Sequence, residues 1–300
     1  MNPYVNWARI IDCDDIPVTP FDNGLAERQM YEAFLELGSR PVPESSRSAS
    51  HVQGVSADKP KLVTLGGDHS VALPALRALY KIYGKPITVL HFDAHLDTWN
   101  PRRYAEYWQS SQSEFNHGSF FYTAGREGLI SNTSSAHAGL RTRLTGTDDS
   151  DYTAPGMPEQ GFMRIHADDV DDIGVQGVVD AIIKRVGLSR DEPVYLSLDI
   201  DVLDPSIAPG TGTPEPGGWT TRELIRILRG VEKLNLVGAD IVEVSPSYDS
   251  VAESTALAAA QAVFEIVTSM VKAGMPPGEV GGWYGKKEES SGNQAAKDEL

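Results

Sequence analysis

Short apolar runs alternate with longer amphipathic segments along most of the chain. The apolar runs predict strands at Lys61–Leu65, Ile87–Phe92, Ala138–Leu144, Phe162–His166, Val194–Ile200 and Leu236–Val244. Segments with apolar residues at helical spacing predict helices at Asn23–Gly38, Ala72–Tyr83, Val175–Gly187, Thr220–Leu234 and Ser254–Lys272. Strands that alternate with helices are typical of parallel βαβ units. We therefore expect an α/β fold with three layers, α/β/α, around a mainly parallel sheet.

Three segments depart from this alternation. Arg9–Asp15 predicts a short strand that ends before two prolines. Asn100–Leu129 predicts a loop, and the acidic run Asp168–Asp172 predicts a solvated loop. The single cysteine, Cys13, predicts a small buried hydrophobe beside the first segment and rules out a disulfide within this chain.

The charge of the chain limits the class of partner. It carries 26 basic and 42 acidic residues, a formal net charge of −16. Proteins that bind nucleic acid are usually basic, so a nucleic-acid partner is disfavoured, whereas a small cationic substrate agrees with this sign. No run of about 18 apolar residues occurs, so we expect no membrane partner.

The composition changes near the C-terminus. We expect one domain over residues 1–277 and a flexible polar tail over residues 278–300, where apolar residues are few. The last four residues, Lys297–Leu300, spell an endoplasmic-reticulum retention signal, but the first residues do not resemble a signal peptide. We therefore expect a missing N-terminal segment. The protein would lie in the endoplasmic reticulum or secretory pathway if that segment is a signal peptide, and otherwise in the cytoplasm.

Side chains that can bind metal follow three of the predicted strands. Spaced two positions apart at a strand's end, they lie on one side of it, and a glycine turn presents one further imidazole at the same edge. The candidates are His69, Asp93, His95, Asp97, Asp199 and Asp201. Carboxylates and imidazoles suit Mn, Zn or Fe, and several carboxylates in one pocket repel one another unless cations neutralise them. Because one ion needs only three or four protein ligands, this set predicts two ions.

Three motifs carry these ligands. They are Gly-Gly-Asp-His-Ser at 66–70, Phe-Asp-Ala-His-Leu-Asp at 92–97 and Ser-Leu-Asp-Ile-Asp-Val-Leu-Asp-Pro at 197–205. In this order they resemble the signatures of the ureohydrolase (arginase/agmatinase) superfamily, and the resemblance runs from Leu62 to Lys272. His-Gly-Ser-Phe-Phe at 117–121, Glu-Gly-Leu-Ile at 127–130 and Thr-Ala-Leu-Ala-Ala-Ala at 255–260 are similar to agmatinases rather than arginases.

The resemblance implies an arginase-like fold with two Mn²⁺ ions. One ion would be held by His69, Asp93, Asp97 and Asp199. The other would be held by Asp93, His95, Asp199 and Asp201, so that Asp93 and Asp199 bridge. A hydroxide between the ions would attack the guanidinium carbon of agmatine and release putrescine and urea, a reaction of polyamine metabolism.

The resemblance also implies catalytic residues. Glu243 matches the carboxylate that grips the guanidinium, His117 matches the proton shuttle, and Asp97 counts among the catalytic residues as well as the ligands. Family members form homo-oligomers, so we expect a trimer or hexamer. They also begin with a further strand and a loop at the substrate entrance. Because the chain before His69 is shorter here, we expect that first strand to be missing.

Two alternatives stay open at this point. A guanidinobutyrate or other guanidino-acid hydrolase would use the same chemistry, and the group that meets the far end of the substrate would distinguish it from an agmatinase. A catalytically inactive member that still binds metal is the alternative from a different class. A binuclear deacetylase on a similar α/β fold has less support, because the segment around Glu243 fits ureohydrolases.

Overall fold

One parallel sheet organises the protein. In the computed structural model, which describes residues 1–44, 51–52, 54–101, 110, 112–144 and 161–275, the sheet has six strands in the order β1-β6-β5-β2-β3-β4. The strands are β1 (Leu62–Leu65), β2 (Thr88–Phe92), β3 (Ala136–Leu140), β4 (Met163–His166), β5 (Val194–Asp199) and β6 (Leu236–Val242). Each neighbouring pair is parallel, which confirms the predicted α/β class.

Helices cover both faces of the sheet. Those in the described residues are α1 (Asn23–Gly38), α2 (Ala72–Tyr83), α3 (Phe120–Arg126), α4 (Asp169–Val186), α5 (Thr221–Gly230) and α6 (Ser254–Lys272). Side chains of a strand alternate between faces, so Val89 packs with α1, α2 and α3, whereas Leu90 and Phe92 pack with α4, α5 and α6. The result is the predicted three-layer arrangement.

Local signals fix where two of these helices begin and end. Thr220 is the N-cap of α5; it accepts a hydrogen bond from the backbone of Glu223, whose side chain bonds back to Thr220 in a capping box. Gly84 ends α2 in the left-handed conformation, with φ of 67°. These ends let the chain turn directly between the helix layer and the sheet.

Several predictions of local structure were wrong. Arg9–Asp15 pairs with no strand in the described part of the chain, and Cys13 is exposed. Phe120–Arg126 is helical inside the segment predicted as a loop, because its phenylalanines pack into the apolar cluster on the face of the sheet that α1 and α2 cover. The acidic run begins α4 at Asp169, where carboxylates favour the positive end of the helix dipole.

The final helix, α6, is the most apolar helix of the described residues. It is long and apolar enough to cross a membrane by length and composition alone, yet 61% of the apolar stretch is buried inside the protein. It packs against α5 and β6 as a core helix, and its bounds are those predicted from the sequence. The predicted tail over residues 278–300 and the domain boundary at 277 lie outside the described residues.

Candidate metal centre

The strand order brings the predicted metal ligands to one place. Strands β1, β6, β5 and β2 are consecutive neighbours, so the residues that follow their carboxyl ends meet at one edge of the sheet. The glycine turn after β1 leads to His69, the end of β2 leads to Asp93, and β5 ends at Asp199. The structure brings all six predicted ligands together there.

The first half of the cluster surrounds one imidazole nitrogen. His69 Nδ1 lies 3.0 Å from Asp97 Oδ2 and 3.3 Å from the Oδ2 atoms of Asp93 and Asp199. His69 is completely buried, and its Nδ1 has no hydrogen-bond partner among the described residues. Buried polar atoms normally have partners, so a partnerless nitrogen that faces three carboxylates fits a cation that lies between them.

The second half is centred on the other predicted histidine. His95 Nδ1 lies 3.2 Å from Asp93 Oδ1 and 3.0 Å from Asp201 Oδ2. Asp93 therefore places one oxygen in each half, as a bridging ligand requires. The geometry supports a bridging role for Asp199 less directly. Its Oδ2 faces His69, but its Oδ1 accepts a hydrogen bond of 2.8 Å from the backbone of Asp201.

The electrostatics of the cluster also fit divalent cations. Burial, followed by the nearby carboxylates, raises the pKa of Asp199 well above its ordinary value, and the pKa values of Asp97 and Asp201 are raised as well. Burial acts against the charge on His95, yet hydrogen bonds with Asp201 and Asp93 raise its pKa to about 12. The pKa of Asp93, in contrast, is held well below its ordinary value by the neighbouring histidines. Without a metal ion, protons thus offset part of the negative charge of the cluster, and divalent cations would displace them on binding.

A buried relay sets the orientation of His69. Its Nε2 lies 2.7 Å from Ser197 Oγ, which donates a hydrogen bond of 2.8 Å to Asp240 Oδ1. Tyr195 donates to the other oxygen of Asp240 over 2.6 Å. Because the proton of Ser197 points to Asp240, Ser197 accepts from the Nε2–H of His69. The lone pair of His69 Nδ1 therefore faces the carboxylates, as a metal ligand requires.

Breaking this relay should weaken metal binding. We expect Ser197→Ala to raise the dissociation constant for Mn²⁺ about tenfold, because the imidazole of His69 loses the contact that fixes its tautomer. The measurement is a calorimetric titration of the metal-free protein. Thr268→Val, which removes a buried hydroxyl in α6, is the matched control. Equal affinity in the Ser197 variant and the wild type would disprove the role of the relay.

The two predicted catalytic residues outside the ligand set lie close to the cluster. Glu243 follows β6, is partly buried and accepts a hydrogen bond of 2.7 Å from the backbone N–H of His69. Its φ is 60° and that of Asp97 is 55°, a left-handed conformation that is uncommon for non-glycine residues and that Asp14 and Glu253 also adopt outside the site. His117 precedes α3, and its side chain is 39% exposed.

The carboxylate of Asp68 holds His117 at the rim. His117 Nδ1 lies 3.7 Å from Asp68 Oδ2, and this contact raises the pKa of His117. Burial opposes the charge on Asp68, but the nearby imidazole of His117 and the hydrogen bonds from Ser70 lower its pKa to about 2. The site thus combines a cation-binding cluster with a carboxylate and a titratable imidazole at its edge.

Sequence reasoning missed the residues that support the ligands. Arg141, which follows β3, donates to the backbone oxygens of Asp201 and Glu215 over 2.5 and 2.7 Å and so ties two loops of the site together. Glu215 Oε1 lies 3.6 Å from His95 Nε2. For Tyr195 and Ser197 the sequence does carry a signal of such a role, because these two polar side chains lie two positions apart within an otherwise apolar strand.

Comparisons with known proteins agree with this geometry. A sequence profile described as the arginase family matches residues 1–268. A Schizosaccharomyces pombe protein that carries an agmatinase name is 48% identical over 272 residues, which are 90% of this chain and 66% of that protein. The first curated relatives are matched over 61–66% of their own length.

Solved structures show the same fold. Proclavaminate amidino hydrolase from Streptomyces clavuligerus is 35% identical with a TM-score of 0.68, and the match covers 86% of this chain and 74% of that one. Arginase from Bacillus caldovelox is 24% identical with a TM-score of 0.62, over 87% of this chain and 80% of that one. The second likeness concerns the fold alone.

Proposed function

Because the chain belongs to the arginase family, we propose that it is an amidinohydrolase that cleaves agmatine to putrescine and urea with two Mn²⁺ ions. The observation that carries the proposal is His69 Nδ1, a buried atom without a partner among the described residues, surrounded by three carboxylates. Glu243 is bonded to the backbone of that same histidine. The loop after β1, which carries His69, and the loop after β6, which carries Glu243, are thus joined by a hydrogen bond at the cluster.

The donor set favours Mn²⁺ over a thiolate-bound metal. The cluster offers carboxylates and imidazoles, and the only cysteine is exposed at position 13. Asp93, with one oxygen in each half, would join two sites, and His69 and His95 would serve one site each. Two such ions, when bound, supply Lewis acidity and lower the pKa of a water molecule.

Glu243 is suited to hold the guanidinium of the substrate. Its Oε1 accepts a hydrogen bond from the backbone of His69. Gly212 lies beside its Oε2 and leaves space there, since a Cβ added at Gly212 would lie 3.7 Å from Oε2. A planar cation can therefore approach a carboxylate whose direction is already set, and charge-assisted hydrogen bonds would orient it. The net charge of −16 also favours a cationic substrate.

His117 is suited to move protons. It is the histidine beside the cluster that is partly exposed, and Asp68 orients its Nδ1. Its other ring nitrogen would give a proton to the leaving amine, a role for a group that titrates near neutral pH.

An assay of urea release tests the proposal. We expect the metal-free chain, reloaded with Mn²⁺, to release urea faster from agmatine than from 4-guanidinobutyrate or arginine. Faster release from 4-guanidinobutyrate would favour a guanidino-acid hydrolase. Two bound Mn²⁺ ions without urea from any of the three would favour an inactive family member and overturn the proposed activity. Asp93→Asn, purified in the same way, measures the background.

A further inference from the structure

A pair of buried histidines lies behind the metal cluster. His91 on β2 and His137 on β3 are register partners in the parallel ladder, and both are completely buried. Their Nδ1 atoms are 2.8 Å apart. A hydrogen bond at this distance requires that one ring donates and the other accepts. The pair therefore has a direction.

The surroundings of the pair are aromatic and give it little polar support. Phe162 stacks on His137 with ring centroids 3.9 Å apart, and Phe121 meets His91 edge-on at 4.8 Å. His137 Nε2 has no hydrogen-bond partner among the described residues. Apolar side chains would fill this space at lower cost, because buried polar groups are expensive unless they are paired. Packing alone does not explain two imidazoles here.

The free end of the pair reaches the bridging carboxylate. His91 Nε2 lies 3.0 Å from Asp93 Oδ2, within hydrogen-bond reach although the two atoms are not well aligned. A carboxylate only accepts, so this contact places a proton on His91 Nε2. His91 Nδ1 then accepts, and His137 Nδ1–H donates to it. Burial lowers the pKa of His137 well below its ordinary value, in agreement with a neutral ring that carries a single proton.

Direct ligation by His91 is the competing arrangement. His91 Nε2 lies close enough to His69, Asp93 and Asp97 to share an ion with them. That arrangement needs an unprotonated Nε2 on His91. His91 would then donate through its Nδ1 to His137 Nδ1, and the single proton of His137 would lie on His137 Nε2. A buried N–H without a partner would result, whereas the first arrangement leaves only a lone pair unpaired. The hydrogen-bond direction therefore favours donation to Asp93.

We propose that His91 and His137 form a positioning pair, in which His137 fixes the tautomer of His91 and His91 fixes the carboxylate of Asp93. The inference rests on the metal centre of the proposed function. Asp93 has one oxygen in each half of the cluster, so a rotation of its carboxylate would disturb both ion sites. The donor from His91 opposes that rotation. The pair acts on metal affinity through Asp93.

A double-mutant cycle on metal binding tests the pair without any substrate. The metal-free wild type, His91→Leu, His137→Leu, the double variant and His137→Gln are titrated with Mn²⁺ by calorimetry. We expect His137→Leu to raise the dissociation constant about tenfold and His91→Leu to raise it between about 10- and 100-fold. The double variant should bind no worse than His91→Leu, because His137 acts only through His91. His137→Gln keeps an N–H donor and should bind within about threefold of the wild type.

Controls separate this role from general loss of packing. Phe162→Leu removes the aromatic stack on His137 but no donor, so Mn²⁺ affinity should stay near the wild-type value. The thermal midpoint of each metal-free variant reports folding separately.

Additive effects of the two leucine variants, or wild-type affinity in His137→Leu, would overturn the proposal. The electron spin echo spectrum of Mn²⁺-loaded His91→Gln gives a further test. If this spectrum shows one nitrogen ligand fewer than that of the wild type, His91 is itself a metal ligand and the proposal is wrong. Absence of urea release would contradict the enzymatic activity and leave this result unchanged.

Discussion

Replacing Asp93 with asparagine is expected to abolish tight binding of both metal ions and to lower the rate of urea release about 1,000-fold. Asp93 Oδ2 faces His69 and Asp93 Oδ1 faces His95, so one substitution weakens both halves of the cluster. Lewis-acid stabilisation of a transition state is worth several kcal/mol, and about 1.4 kcal/mol corresponds to a tenfold change in rate. The measurements are bound Mn²⁺ per chain, by elemental analysis, and kcat for agmatine.

The control for this variant is Asp180→Asn, which removes an exposed carboxylate of α4 that accepts a hydrogen bond from Gln176 of the same helix. It should keep full metal content and full rate. Stability gives an independent reading of the same binding. At a Mn²⁺ concentration 100 times the dissociation constant of each site, the wild type should gain about 2.7 kcal/mol in the free energy of unfolding for each bound ion, whereas Asp93→Asn should gain little. Two tightly bound ions in Asp93→Asn would disprove the bridging role.

The convergence of the six predicted ligands could be predicted, because it depends on local spacing and one topological rule. Asp93, His95 and Asp97 follow a strand at alternate positions, and Asp199 and Asp201 repeat that spacing. Parallel strands place their carboxyl ends at one edge of a sheet, so distant motifs converge without knowledge of the exact strand order. This convergence is what the structure confirms.

The supporting contacts were not predictable, because they depend on which strands are neighbours. Ser197 meets Asp240 only because β5 lies beside β6, and His91 meets His137 only because β2 lies beside β3. Nothing in the sequence identifies His137 as the partner of His91. The short helix Phe120–Arg126 was missed for a related reason, since packing across the sheet stabilises it more than its own sequence does.

Replacing Glu243 with glutamine is expected to lower kcat/KM for agmatine between about 100- and 1,000-fold while Mn²⁺ affinity stays unchanged. Glutamine can still accept the hydrogen bond from the backbone of His69, so the loop and its φ of 60° should be kept. What is lost is the negative charge that faces the guanidinium. The expected range corresponds to about 2.7–4.1 kcal/mol. Two hydrogen bonds to one planar cation reach this figure near the lower end of the contribution of about 1.5–3 kcal/mol that each makes when one group is charged.

The comparison of metal binding with turnover decides between two roles for Glu243. If this carboxylate binds substrate, Glu243→Gln should bind two Mn²⁺ ions as tightly as the wild type and fail mainly in kcat/KM. Glu243→Asp, which keeps the charge but draws it back by one methylene, should recover part of the loss for agmatine. If Glu243→Gln instead loses metal and activity together, Glu243 supports His69 through the bond to its backbone, and the guanidinium must meet a different group. Unchanged kcat/KM together with unchanged metal binding would remove Glu243 from both roles.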